Sequence, residues 1–264
     1  MSLQFCSFAS GSSGNCYLVR SDETTILIDA GISGKRIFQS LEKSGVNRDE
    51  VQAVLVTHEH IDHVQSLPIL TKKIPGLRVY ANEETWLAID RPVAEERKAY
   101  FVTGKDFRIG DMTIRPFAIP HDAADPVGFS IYCDGRQLSL VTDVGYITEG
   151  IFEEIVDADL LLLEANHEKE MLLMGRYPYT LKQRILGDEG HLSNISAGEC
   201  LCRLNNAKAK KRQVLLGHLS RENNEPSVAM LAVRNTLLES GIVLGGNTNV
   251  DVVLRDCMSP VFEV

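Results

Sequence analysis

Residues 57–63 read THEHIDH and set His58, His60, Asp62 and His63 within six consecutive positions. The chain has only seven histidines, so three of them are committed to one short segment. Directly upstream, VQAVLVT (51–57) is an uninterrupted apolar run of the kind that forms a buried strand. The histidines therefore leave the end of a strand, where they can converge on an electron-poor centre. In extended chain, residues i and i+2 point the same way, so His58 and His60 can serve one ion together. A turn after them lets Asp62 and His63 face a second ion beside the first.

The same arrangement recurs three times. TIRPFAIP leads into His121, RQLSLVT into Asp143 and RQVLLG into His218. If these strands lie side by side, their ends share one edge and the polar side chains meet there. Imidazole, carboxylate and water suit zinc, manganese or iron, and the absence of thiolate partners disfavours a closed structural zinc site. Two ions about 3.5–4 Å apart can hold a bridging hydroxide and stabilise both the attacking and the leaving oxygen.

Composition narrows the setting. The 264 residues suffice to bury a large core, and 44% hydrophobic against 24% charged is the balance of a soluble globular protein. No window reaches the roughly 18 apolar residues of a membrane span. The opening MSLQFCSFASGSSGN lacks a basic region followed by an apolar one, so no secretory leader is expected. Six cysteines without a CxxC pair read as reduced thiols, which predicts a cytoplasmic protein. Cys200 and Cys202, two apart in a probable helix, read as packing residues on different faces. A formal net charge of −9 argues against gripping nucleic acid by bulk electrostatics, although carboxylates that hold cations have their charge locally reversed. The one basic run, Lys208, Lys210, Lys211 and Arg212, reads as a solvated loop before a strand.

Without linker, repeat or low-complexity stretch, residues 1–264 are read as one domain. LQFCSFA, NCYLVR and TTILIDAG predict a three-stranded meander, with a Gly/Ser loop between the first two. SGKRIFQSLEKSG follows as a helix capped by Ser33 and stopped by Gly45. Hairpins are expected at Gly110 and Asp111 and at Asp134 and Gly135. DADLLLLEA and RQVLLGH read as buried strands, and EPSVAMLAVRNTLLESG as an amphipathic helix closed by Gly241. Mixed strands and helices with hairpins in both halves predict an α/β (α+β) fold of two sheets with helices outside.

HEHIDH, with His121, Asp143 and His218 following in order, resembles the H-x-H-x-D-H pattern of the metallo-β-lactamase superfamily across essentially the whole chain. The resemblance implies a four-layer αββα sandwich with the site along one sheet edge. It also implies that His58, His60 and His121 hold a first metal, that Asp62, His63 and His218 hold a second, and that Asp143 bridges them. More narrowly, FASGSSGNCYLV, EANH (164–167), YPYTLKQRILGDEGHLSN and GHLSRENNEP resemble the YycJ (WalJ/VicX) group. That group is associated with 5′-to-3′ exonuclease action on DNA, and its names suggest a link to a two-component signalling operon.

GHLS occurs at 190–193 and again at 217–220. His218 follows an apolar strand, as the other candidates do, whereas His191 precedes a helix with Ser193, Asn194 or Ser196 as caps. The metal position therefore goes to His218. His191 is left to approach substrate, either at a phosphate seat on the helix N-terminus or as a proton donor to the leaving oxygen; a packed histidine in a capping turn is the alternative. His167 can line the cleft beside Glu164 and Asn166 or be structural. The loop 10–15 can offer backbone N–H groups to an oxyanion, or simply border the site.

These observations predict a dinuclear metal-dependent phosphodiester hydrolase, with DNA the favoured substrate by resemblance. A metal-bridging hydroxide would attack, with Asp62 and Asp143 also orienting it or taking its proton. The alternatives are a hydrolase of small esters, thioesters or lactones, and a non-catalytic metal-stabilised interaction module. Only 74 residues separate Asp143 from His218, too few for a β-CASP-type inserted domain, which favours a DNA end or short strand over long structured RNA.

Overall fold

The computed structural model describes residues 3–264. The first half of the chain lays down β1 (Gln4–Ala9), β2 (Cys16–Arg20), β3 (Thr25–Ile28), β4 (Val51–Leu55), β5 (Arg78–Ala81) and β6 (Lys98–Tyr100). The second half lays down β7 (Phe107–Ile109), β8 (Met112–Ala118), β9 (Val127–Cys133), β10 (Arg136–Val141), β11 (Leu160–Glu164), β12 (Arg212–Gly217) and β13 (Thr248–Val252). A two-residue strand, β14 (Phe262–Glu263), then returns to pair with β1. The resulting sheets run β14-β1-β2-β3-β4-β5-β6 and β13-β12-β11-β10-β9-β8-β7.

Residue alternation shows why these sheets stack. In β11, Leu160 and Leu162 enter a core shared with Phe5, Tyr17 and Leu55 of the first sheet. Leu161 and Leu163 face the opposite way, into a core with α8 (Asn194–Ala207) and α9 (Pro226–Glu239). Both faces are buried, so a period of two yields a continuous apolar run instead of alternation with polar residues. In β4 likewise, Ala53 and Leu55 face the second sheet, while Val54 packs among residues of α1 (Gly34–Lys43) and α3 (Leu67–Lys73). The order is helix, sheet, sheet, helix, which is the four-layer αββα sandwich expected. Cys200 and Cys202 are buried packing residues, but both enter the core on the helical side of the second sheet, with Cys202 Sγ facing the Thr236 carbonyl.

Local signals act as the sequence suggests. Ser33 Oγ accepts from the Arg36 N–H at the start of α1, and Gly45 takes a φ of +71° just past its end. Asp134 and Gly135 both adopt positive φ, the turn that matches the twist of the β9–β10 hairpin. After α4 (Glu83–Ala88) in the first half and α5 (Glu149–Ile155) before β11, two helices, α6 (Lys169–Met174) and α7 (Tyr179–Leu186), follow β11, and Leu181 and Ile185 of α7 border the cleft described below. No helix among the described residues is long and apolar enough to cross a membrane.

Leu162 is fully buried between the sheets, so Leu162→Ala should lower unfolding stability by about 2–5 kcal/mol. Urea denaturation measures this as a lower midpoint at unchanged slope.

Candidate metal centre

The strands of the second sheet explain how distant residues meet. β9 is antiparallel to both β8 and β10, and β10, β11 and β12 are parallel, so β8, β10, β11 and β12 share one direction. These strands are not all neighbours, yet the residues just beyond them (His121, Asp143, Glu164 at the end of β11, His218) fall on one edge. β3 and β4 are parallel in the first sheet and deliver Asp29 and His58. The short helix α2 (Ile61–Val64), with His60 before it, then turns Asp62 and His63 toward the same point.

Four overlapping groups of donors result, each with its ligand atoms within 4.8 Å of one another. They are His58, His60 and His121; Asp62, His63 and His218; His58, His63 and Asp143; and Asp143, Glu164, His191 and His218. Asp143 Oδ2 lies 3.3 Å from His63 Nε2, and its Oδ1 lies 3.4 Å from His218 Nε2 and 3.9 Å from His121 Nε2. The seven residues singled out in the sequence thus fall in one continuous cluster that includes the buried Asp143 carboxylate. Asp143 Oδ2 and His218 Nε2 are buried and have no hydrogen-bond partner among the described residues. A buried polar atom left unpaired is costly, and a cation seated among these imidazoles and carboxylates would satisfy both. The residues therefore fit divalent metal binding.

Buttressing contacts hold the donors in place. Asp29 Oδ2 lies 2.8 Å from His63 Nδ1, and the Asp29 carboxylate also accepts from the Thr57 N–H and hydroxyl. Thr57 Oγ1 in turn lies 3.0 Å from His58 Nδ1. Glu164 Oε1 lies 2.8 Å from Nδ1 of both His191 and His218, while its Oε2 accepts from the Val144 N–H next to Asp143. Fixing one ring nitrogen sets the tautomer and aims the other at the centre. Asp29, Asp143 and His218 all adopt positive φ (59°, 56° and 54°), a strained conformation for non-glycine residues that concentrates at functional sites. Gly31 passes so close to the turn that a Cβ there would stand 1.5 Å from the Asp62 carbonyl oxygen.

Charge follows from this crowding. Burial, then His63, push the His58 pKa well below its usual value. At His63 burial acts downward, but Asp29, Asp62 and Asp143 outweigh it and hold the pKa well above the usual value. At Asp143 burial acts upward and is overcome by His218 and His63, leaving the carboxylate ionised. At Glu164 burial again acts upward, and His191 and His218 bring the pKa to about 2. His191 goes to about 9, since Glu164 and Asp143 outweigh its burial.

The cleft over this centre has a volume of about 250 Å³, and His60, Asp62, His121, Asp143, His191 and His218 all border it. His191 reaches the cleft, and the side chains at the neighbouring helix start are engaged within the fold. Ser193 caps α8 through the Ser196 N–H, and Asn194 is buried against Glu168 and Asn224. His167 is buried and does not border the cleft, although Asn166 does. The loop 10–15 borders the site through Ser12, but most of its N–H groups are already spent: Ser10 on the Arg255 carbonyl, Gly11 on Asn15 Oδ1, Gly14 on the Gly11 carbonyl, Asn15 on the Asp62 carbonyl. Its work is positional instead. Asn15 Nδ2 meets His63 Nε2 at 3.0 Å, and Ser10 Oγ accepts from the His218 N–H at 2.8 Å. Sequence reading passed over Asp29 and set Glu164 only beside the cleft. Both stand at the end of an apolar strand, the signal that marked His58 and His218.

A family model described as the beta-lactamase superfamily domain matches residues 24–219, which span every residue from Asp29 to His218. The chain belongs to the metallo-β-lactamase superfamily. Within it, the chain is 38% identical over 248 residues to exodeoxyribonuclease YycJ of Bacillus anthracis, covering 93% of each. It is 37% identical over 261 residues to exodeoxyribonuclease WalJ of Streptococcus pneumoniae serotype 2, covering 97% of this chain and 96% of WalJ. Among solved structures, the metallo-beta-lactamase fold protein YhfI from Bacillus subtilis superposes with a TM-score of 0.75 over 100% of both chains at 17% identity, a likeness of fold. Family and centre together make this superfamily member a metal-dependent hydrolase, which sets aside the non-catalytic module.

Glu164→Ala should weaken metal binding by about 10–100-fold, because His218 and His191 lose the carboxylate that orients them. Competition with a chromophoric chelator measures the loss, and circular dichroism checks that the fold is retained.

Proposed function

We propose that this hydrolase cleaves phosphodiester bonds of DNA as an exonuclease working 5′ to 3′, with two divalent cations, zinc or manganese, iron also being compatible. The observation that carries the reading is the continuous set of donors around Asp143, in a chain aligned almost end to end with relatives named exodeoxyribonucleases. In this reading His58, His60 and His121 hold one cation, Asp62, His63 and His218 the other, and Asp143 stands between them. His218 takes the last position because its Nε2 is buried and unpaired, whereas His191 is partly exposed.

When bound, the cations would make water a stronger nucleophile and neutralise charge on the phosphate. Asp62 and Asp143 would orient the attacking water and take its proton. His191, with Nδ1 given to Glu164, turns Nε2 to the cleft and protonates the leaving oxygen. A single domain over 1–264, without an inserted clamp, suits a DNA end or short strand. Six free cysteines, five of them buried, accord with the reducing cytoplasm as its place of action.

The same ligand set would serve small-ester hydrolysis, so the substrate needs its own test. Purified protein supplied with manganese or zinc should shorten end-labelled DNA stepwise from a 5′-phosphorylated end, and Asp143→Ala should lower the rate at least a hundredfold. Metal-loaded protein that cleaves neither single- nor double-stranded DNA would refute the nuclease reading and leave the small-ester hydrolase in its place.

A further inference from the structure

Lysines and arginines are scarce at the cleft of this chain of net charge −9. Among the described residues, Arg184 of α7 is the only lysine or arginine on that border. The basic run does not reach it. Lys208 and Lys210 pair with Asp157 and Asp159, and Arg212 is buried against the Val156 carbonyl. Arg184 is 61% exposed and pairs through Nε with Asp122 Oδ2. Asp122 directly follows His121, and its Oδ1 lies 3.4 Å from His121 Nε2. The guanidinium is therefore tethered beside the metal-binding donors by a carboxylate that an incoming anion can replace.

The same segment supplies the apolar part of the wall. Tyr177, Leu181 and Ile185 border the cleft on the side of Arg184. Tyr177 is half-buried, and neither its ring nor its hydroxyl has a side-chain partner among the described residues. The segment is locked in place. Lys182 Nζ donates to the Leu173 and Gly175 carbonyls at 2.7 Å each, which ties α6 to α7, and the Gly190 carbonyl lies 3.4 Å from His121 Nδ1.

Resting on the nuclease reading above, we propose that α7 and the turn before it form the nucleotide-recognition wall of the site. Arg184 takes the phosphate next to the scissile one, and Tyr177 stacks on the base between them. Two cations at the metal centre neutralise a single phosphodiester, and a small ester carries no further charge. A DNA strand brings a second phosphate within one nucleotide, and that phosphate requires a cation of its own. A free aromatic face beside the guanidinium provides stacking that is indifferent to base identity, as an exonuclease needs. Asp122 holds Arg184 until substrate arrives and then yields it to the phosphate.

The test is steady-state hydrolysis of a single-stranded oligodeoxynucleotide by manganese-loaded full-length protein across a salt series. Bis(p-nitrophenyl) phosphate, a single phosphodiester, is assayed in parallel. Arg184→Ala should raise KM for DNA at least tenfold and flatten the slope of log kcat/KM against log salt by about 0.7, the loss of one phosphate contact on a single strand. Its loss on bis(p-nitrophenyl) phosphate should be at least fivefold smaller, and Arg184→Lys should restore the salt slope. Tyr177→Ala should raise KM for DNA about tenfold, with Tyr177→Phe close to the parent. Unchanged KM and salt slope in Arg184→Ala would overturn the inference while the nuclease reading stood. Equal losses on both substrates would assign Arg184 a structural role and overturn it as well. Wild-type protein that hydrolyses bis(p-nitrophenyl) phosphate but not DNA would instead overturn the nuclease reading, and this inference with it.

Discussion

The Asp143 carboxylate is buried at the edge where two sheets meet, in left-handed backbone, with one oxygen unpaired. An ionised group in that position is tolerable only if the protein surrounds it with compensating charge. Much of the architecture follows from that requirement. His63 reaches it from the first sheet and His218 from the second, at 3.3 and 3.4 Å. Three of the four donor groups draw on both sheets, so the full centre exists only where the two sheets stack.

The centre is also rigid by construction. Asp29 fixes His63, Thr57 links Asp29 to His58, and Glu164 fixes both His191 and His218. The loop 10–15 ties the first hairpin to donors from both sheets, His63 through Asn15 and His218 through Ser10. A site that must hold charge without reorganising during a reaction gains from donors whose other ends are already committed. Such commitments keep the donor atoms at fixed separation.

Much of this was legible in the chain because one rule, a polar residue just past an apolar strand, picks out His58, His121, Asp143 and His218. Applied evenly it would also have found Asp29 after TILI and Glu164 after LLLL, but carboxylates end many strands on the solvent side and carry less information than histidines. The rule says nothing of backbone hand, so the positive φ of Asp29, Asp143 and His218 was not legible. The Gly/Ser loop suggested an anion cradle, yet whether its N–H groups are free depends on partners 47 residues away, such as Asp62 for Asn15. Short edge strands escaped for another reason. KAY, TNVDV and FE are too brief or too polar to signal, and β6 and β13 depend on pairing with β5 and β12, as β14 does on β1.

Anomalous diffraction from crystals grown with manganese tests the shared-carboxylate account most directly. Two peaks about 3.5–4 Å apart are expected, one against His58, His60 and His121, the other against Asp62, His63 and His218, with Asp143 contacting both. A single peak, or two peaks of which Asp143 touches neither or one, would contradict it.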